Sequence, residues 1–229
     1  SDYDHKIPYY YLPLTNEFWC IKDFAGREQG ECFYCINGNY IHSYKYNCLE
    51  GQGISHYLKK YFEGLNARQR MINAEKVLAY SEEQSKTVSL FGVDSSKLSM
   101  SKIFFDKATI ENIDTSKGNY VAVVGQLSVA KGWHFVPSLI KNDKNEHIHF
   151  KLVIYNREKA KDFIKENSLE AYIESGKIEI LSELHSHTDV LNVLANSFAV
   201  FIPSSYPSTG EFSLLESMGL SKPVLAFNV

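Results

Sequence analysis

A chain of 229 residues, 44% hydrophobic and 22% charged, has the make-up of a globular protein and is long enough for one large or two modest domains. A formal net charge of −3, with lysines scattered rather than massed, speaks against nucleic acid as a partner, since such binding needs a basic excess. No run approaches the roughly 18 apolar residues of a membrane span, and the first residues show no signal-peptide pattern. The expected compartment is therefore the cytoplasm, with peripheral contact at the inner face of a membrane left open.

In chain order, residues 8–15 (PYYYLPLT) read as a buried strand, and residues 16–53 as a turn-rich irregular stretch holding all four cysteines. From Ile54, the residues Ile54, Tyr57, Leu58, Tyr61, Phe62 and Leu65 mark one face of a helix ending near Gly64. A second helical segment over 67–74 leads into a short strand, KVLAYS at 76–81. Ser81 suits an N-cap, with Gln84 three residues on, for a helix that stops at Gly92. Ile103-Phe104-Phe105 reads as a strand, and Asp106 caps the turn that follows. The polar residues 107–119 are the expected linker between a first domain, 1–106, and a second, 120–229.

The second domain alternates regularly. YVAVVG (120–125) is a strand, followed by a helix with Trp133, Val136, Leu139 and Ile140 on one face. FKLVIYN (150–156), a helix over 158–167, IEIL (178–181) and a helix over 189–197 come next. FAVFIPS (198–204), a helix over 212–220 and PVLAF (223–227) complete the series. Continuous apolar strands separated by amphipathic helices predict a parallel sheet covered on both faces, an α/β doubly wound, Rossmann-like domain. Ligands of such sheets are expected at the carboxyl ends of the strands.

Two turns in this domain can carry chemistry. The first runs from Gly125 through Gln126 to Lys131 and Gly132. A glycine at a strand end lets a phosphate approach the backbone, and a lysine at the next helix entry supplies positive charge. The rival reading is an ordinary glycine turn with a solvated lysine. The second runs from Pro203 to Glu216, where a Ser/Thr/Pro/Gly-rich loop opens directly into a helix. N–H groups at that helix start could hold an anion, and Glu216 could accept hydrogen bonds from vicinal hydroxyls, as a carboxylate does with ribose. Its rival is a polar loop followed by a solvated glutamate.

The order VAVVGQLSVAKGWHFVPSLI, FKLVIYN, DVLNVLANSFAVFIPSSY and FSLLESMGLSKPVLAFNV resembles the C-terminal domain of the retaining GT-B glycosyltransferases of family 4, over residues 120–229. Leu215-Glu216-Ser217-Met218-Gly219 followed by Lys222-Pro223-Val224 is the most specific of these segments. Upstream, EKVLAYSEEQSKTVSLFGVDSSKL is similar to the last strand and helix of that family's acceptor lobe. PYYYLPLTNEFWC resembles a subgroup with a His-Asp-aromatic-Trp segment and several cysteines. The resemblance implies a partial α/β acceptor lobe with a Cys-rich irregular segment, then a nucleotide-sugar-binding Rossmann-like half. It further implies transfer of a hexose from a nucleotide diphosphate sugar to a glycan or lipid-linked acceptor, with retention and no required metal cofactor. That family begins upstream of anything matching Ser1 and continues past Val229, so the resemblance also implies that both lobes are incomplete here.

Carried over residue by residue, the resemblance gives Lys131 the donor diphosphate and Glu216 the nucleotide ribose. The backbone at Ser213 and Leu214 faces the phosphates, and Gly125 and Gln126 complete the donor site. Gln126 stands where the family has an arginine, and Ser208 where it has its first glutamate. Glu211, three residues on, is the catalytic candidate beside Lys131, provided the loop is remodelled. Asn16 and Glu17 stand where the subgroup has histidine and aspartate. These departures motivate an alternative from another class, a non-catalytic nucleotide-sugar-binding or scaffold protein derived from the same fold.

Cys20, Cys32, Cys35 and Cys48 comprise one close pair flanked by two singles. That spacing suits a structural zinc held by four thiolates, four reduced thiols, or two disulfides in an oxidising compartment. A zinc module for protein partners is a third functional reading. The alternating pairs His147/His149 and His185/His187 have no carboxylate at ligand spacing and read as solvated.

Overall fold

The computed structural model describes residues 8–14, 16, 18–22, 26–27, 30–49, 51–102, 106–116, 118–144, 147–205 and 211–228. They belong to two compact units, one drawn from residues 1–103 and the other from 104–205 and 211–229. Among the described residues no helix is long and apolar enough to cross a membrane.

In the first unit, strand β1 is only Tyr10–Tyr11. Pro8 and Pro13 flank it and remove backbone donors, which confines the segment to a sheet edge. Tyr9 and Tyr10 are exposed, so the buried strand expected over 8–15 is instead a short, open one. The irregular stretch contains a small antiparallel ladder, β2 (Gly26–Arg27) with β3 (Gly30–Glu31), and the five-residue helix α1 (Ile41–Lys45). Helix α2 spans Ile54–Asn73 without the break expected near Gly64. Gly64, Ala67 and Met71 form its buried face, while Ile54, Leu58 and Phe62 stay exposed. Close packing through the small residues outweighs the roughly 1 kcal/mol that a mid-helix glycine costs.

Strand β4 (Lys76–Ala79), helix α3 (Glu82–Leu90) and strand β5 (Leu98–Met100) complete the unit. The three-stranded sheet has the order β1-β4-β5, all parallel, with Val77 opposite Leu98. Ser81 Oγ accepts the Gln84 N–H at 3.1 Å, as the capping pattern required. Buried Gln84 in turn accepts from the Tyr80 N–H and donates to the Pro13 carbonyl, each at 2.7 Å, which ties the exit of β1 to α3. Phe18, Trp19, Met71, Val77, Val88 and Phe91 form the core. The strand expected at 103–105 lies outside the described residues.

The second unit begins sooner than a featureless linker would allow. Asp106 Oδ1 accepts the Ala108 N–H at 3.0 Å and opens helix α4 (Ala108–Glu111). Within the expected linker, Ile110 and Ile113 pack against the unit's core. The alternation then follows the expected order: β6 (Tyr120–Val123), α5 (Val136–Asn142), β7 (His149–Val153) and α6 (Arg157–Glu166). The short helix α7 (Glu170–Glu174), which periodicity had not indicated, precedes β8 (Ile178–Leu181). Helix α8 (His187–Ala195), β9 (Ala199–Ile202), α9 (Phe212–Gly219) and β10 (Val224–Ala226) finish the unit.

All five strands are parallel, in the order β10-β9-β6-β7-β8. Successive side chains of β6 point to opposite faces. Val121 and Val123 meet Val136 and Ile140 of α5 and Phe163 of α6, whereas Tyr120 and Ala122 meet Val190, Leu191 and Leu194 of α8. This is the expected doubly wound α/β sheet. The chain leaves β6 toward β7 and β8, then returns on the other side of β6 with β9 and β10. The switch point lies between β6 and β9, and the loops after those two strands border the crevice where such sheets take ligands. Gly132 (φ +68°) closes the first loop against the second, for a Cβ there would lie 1.7 Å from the Pro203 carbonyl oxygen.

Candidate functional site

The loop after β6 is a tight series of turns. Gly125 takes φ +140°, in the range that favours glycine, and Gln126 beside it is exposed. The Lys131 N–H approaches Ser128 Oγ at 3.3 Å, and the Gly132 N–H bonds the Val129 carbonyl at 2.9 Å. Lys131 is thereby aimed across the crevice, where its Nζ lies 2.7 Å from Glu211 Oε2. Ser204 Oγ donates to the same carboxylate oxygen at 3.2 Å. The two catalytic candidates, 80 positions apart, are thus brought into direct contact.

Glu211 is also the N-cap of α9, yet its side chain makes no capping bond. The first backbone bond of that helix runs from the Leu214 N–H to the Glu211 carbonyl at 3.1 Å. The N–H groups of Phe212 and Ser213 precede it and have no acceptor within the helix. Ser213 and Leu214 therefore stand at the positive end of a helix, next to Lys131. Ser208 lies outside the described residues.

Glu216, one turn further on, is 8% exposed. His187, the first residue of α8, places Nε2 2.8 Å from Glu216 Oε1. Both His185 and His187 are exposed, as their solvated reading expects, but His187 has a carboxylate partner 29 positions away. Tyr155, just past β7, feels the same carboxylate. Its ionisation is pushed up first by burial of the hydroxyl and then by the negative charge of Glu216. The contact between His187 and Glu216 had no local signal, because strand order decides which loops meet. The other pair differs, with His149 Nδ1 2.9 Å from the Gly176 carbonyl. Lys222 serves structure, donating to the carbonyls of Ser116 at 2.6 Å and Ser197 at 3.2 Å.

The four cysteines, in the first unit, are unbridged. Ser43 lies among them, its N–H bonding the Tyr40 carbonyl at 3.0 Å and its own carbonyl accepting the Cys48 N–H at 2.9 Å. Burial, then the neighbouring Cys20, Cys32 and Cys48, push the Cys35 thiol up to about 12. Among the described residues no three His, Cys, Asp or Glu side chains are grouped to hold a metal ion. In metal-free reduced protein at neutral pH, alkylation followed by peptide mass mapping is expected to label Cys35 last. Equal rates at all four would contradict the burial argument, and zinc-dependent protection of all four would show that a metal centre assembles.

The profile of the family described as Glycosyl transferases group 1 matches residues 106–229, more than half of the chain. No curated protein sequence matches. Among solved structures, HepE of Anabaena in complex with UDP and glucose is similar with a TM-score of 0.55 at 19% identity, covering 70% of this chain and 48% of that one. TarM of S. aureus, in a complex that includes UDP, gives 0.57 at 16% identity, covering 73% and 33%. The lipopolysaccharide outer core galactosyltransferase WaaB gives 0.51 at 16%, covering 70% and 44%. This chain therefore spans half or less of the length of these relatives, and at such identities the likeness concerns the fold, which is of the GT-B type.

Proposed function

The chain belongs to the glycosyl transferases group 1 family, and from that premise we propose that it binds a nucleotide diphosphate sugar at the crevice between β6 and β9. We propose further that it transfers the hexose, with retention, to a glycan or lipid-linked acceptor. The observation that supports this most is the start of α9. Glu211 commits its carboxylate to Lys131 and gives its own helix no side-chain cap. A diphosphate entering there would meet an ammonium group and the N–H groups of a helix terminus together. The UDP complexes of HepE and TarM support a nucleoside diphosphate as the ligand class.

The chain's part in transfer is electrostatic. As the bond to the anomeric carbon lengthens, negative charge gathers on the departing diphosphate, and Lys131 with the α9 terminus stabilises it. Glu211, released from Lys131, is assigned to the hydroxyls of the transferred sugar, and Glu216 to the ribose. Calorimetry with UDP and with uridine tests the site. Glu216→Gln is expected to weaken both by about 1–3 kcal/mol, because the ribose is common to them. Binding of both ligands unchanged by this substitution would sink the assignment. Tight binding with no transfer or donor hydrolysis would select the non-catalytic alternative, which the neutral Gln126 at the diphosphate turn favours.

A further inference from the structure

His187 has no role in the donor site as proposed, yet it is the side chain that fixes Glu216. Its own backbone is held by reciprocal capping of α8. Ser186 Oγ accepts the Asp189 N–H at 3.2 Å, and Asp189 Oδ2 accepts the N–H groups of Ser186 at 2.9 Å and His185 at 3.0 Å. The imidazole, itself half-exposed, leaves this capped helix start and meets Glu216 Oε1 at 2.8 Å. A carboxylate can only accept, so Nε2 carries the proton in this contact. With Oε1 engaged, the two oxygens of Glu216 are no longer equivalent. Rotation of the carboxylate is restrained before any ligand arrives, and ordering a group in advance removes that cost from binding.

We propose that His187 is a positioning residue for the nucleoside: by holding Oε1, it presents the other oxygen of Glu216 to the vicinal hydroxyls of a ribose and so sets the preference for ribo- over 2′-deoxyribonucleotides. The inference rests on Glu216 being the ribose reader. A lone glutamate on an exposed helix could accept from either hydroxyl in several rotamers. A glutamate pinned at one oxygen accepts in one geometry, and that geometry rewards a ligand with both hydroxyls in place.

The test uses the full chain and whichever of UDP, ADP and GDP binds most tightly, compared with its 2′-deoxy counterpart by calorimetry. His187→Ala is expected to reduce the ribo/deoxy affinity ratio by about tenfold. His187→Gln, whose amide N–H can reach the same oxygen, should keep most of that ratio. Inorganic pyrophosphate, which has no ribose, should bind the wild-type protein and both variants alike, separating positioning from general damage to the fold. In a Glu216→Gln background, His187→Ala should change the ratio no further. If His187→Ala preserves a ratio that Glu216→Gln abolishes, the positioning role is wrong and the ribose reading stands. If Glu216→Gln leaves the ratio intact, or no diphosphate binds, the ribose reading fails and this inference fails with it.

Discussion

Lys131→Ala is expected to weaken binding of a nucleoside diphosphate by about 2 kcal/mol, roughly thirtyfold, while leaving the free nucleoside almost unaffected. The ammonium group faces the position proposed for phosphate, so a ligand without phosphates has nothing to lose. The effect should exceed that of a lost contact alone. Glu211 and Lys131 have only 18% and 31% of their side-chain surface exposed, so removing the lysine leaves a shielded carboxylate beside the incoming anion. Part of the loss should therefore return in the double variant Lys131→Ala/Glu211→Gln, where that repulsion is gone. Titration calorimetry with UDP and uridine decides the matter, and equal losses for the two ligands would refute the phosphate assignment.

Gly132→Ala is expected to be the most destabilising single-methyl change near the site, by about 3 kcal/mol or more. Two costs combine. The residue sits at φ +68°, which costs a side-chain-bearing residue about 1–2 kcal/mol. The added Cβ would also stand 1.7 Å from the oxygen and 2.5 Å from the carbon of the Pro203 carbonyl, so backbone must move. Gly176→Ala is the control. Gly176 has φ +76° but nothing within 4 Å of its Cβ position, so it should show the conformational cost alone. Urea denaturation of both variants measures the difference. Similar destabilisation of the two would mean that the contact with Pro203 relaxes freely.

The second unit was largely legible in the amino-acid order. A strand buried on both faces must be apolar throughout, and Tyr120–Val124 and Ala199–Ile202 are. Turn chemistry likewise marked Lys131 and Glu216 before any coordinates. What could not be read was which loops face each other. Lys131 meets Glu211, and His187 meets Glu216, only because β9 lies beside β6. Periodicity reports how a segment is covered, and says nothing of its neighbours in the sheet. In the first unit, packing overrode local preference. Gly64 looks like a helix end but lies on the buried face of α2, and the tyrosines of β1 look like core but line an edge. The cysteines show a different limit, since spacing along the chain does not reveal whether burial will let a thiol ionise.

The contact between Lys131 and Glu211 makes donor capture an exchange of counterions. Before a diphosphate arrives, the lysine is already neutralised by a carboxylate of the same chain, so the site offers no bare positive charge to passing phosphate or sulfate. A ligand must displace the internal anion, so a monoanion gains little there, a diphosphate gains more, and ribose and sugar contacts add to that gain. Selectivity against small anions then follows from competition inside the protein. Because one carboxylate leaves the lysine as the diphosphate approaches, affinity should depend less steeply on ionic strength than at an open cationic pocket.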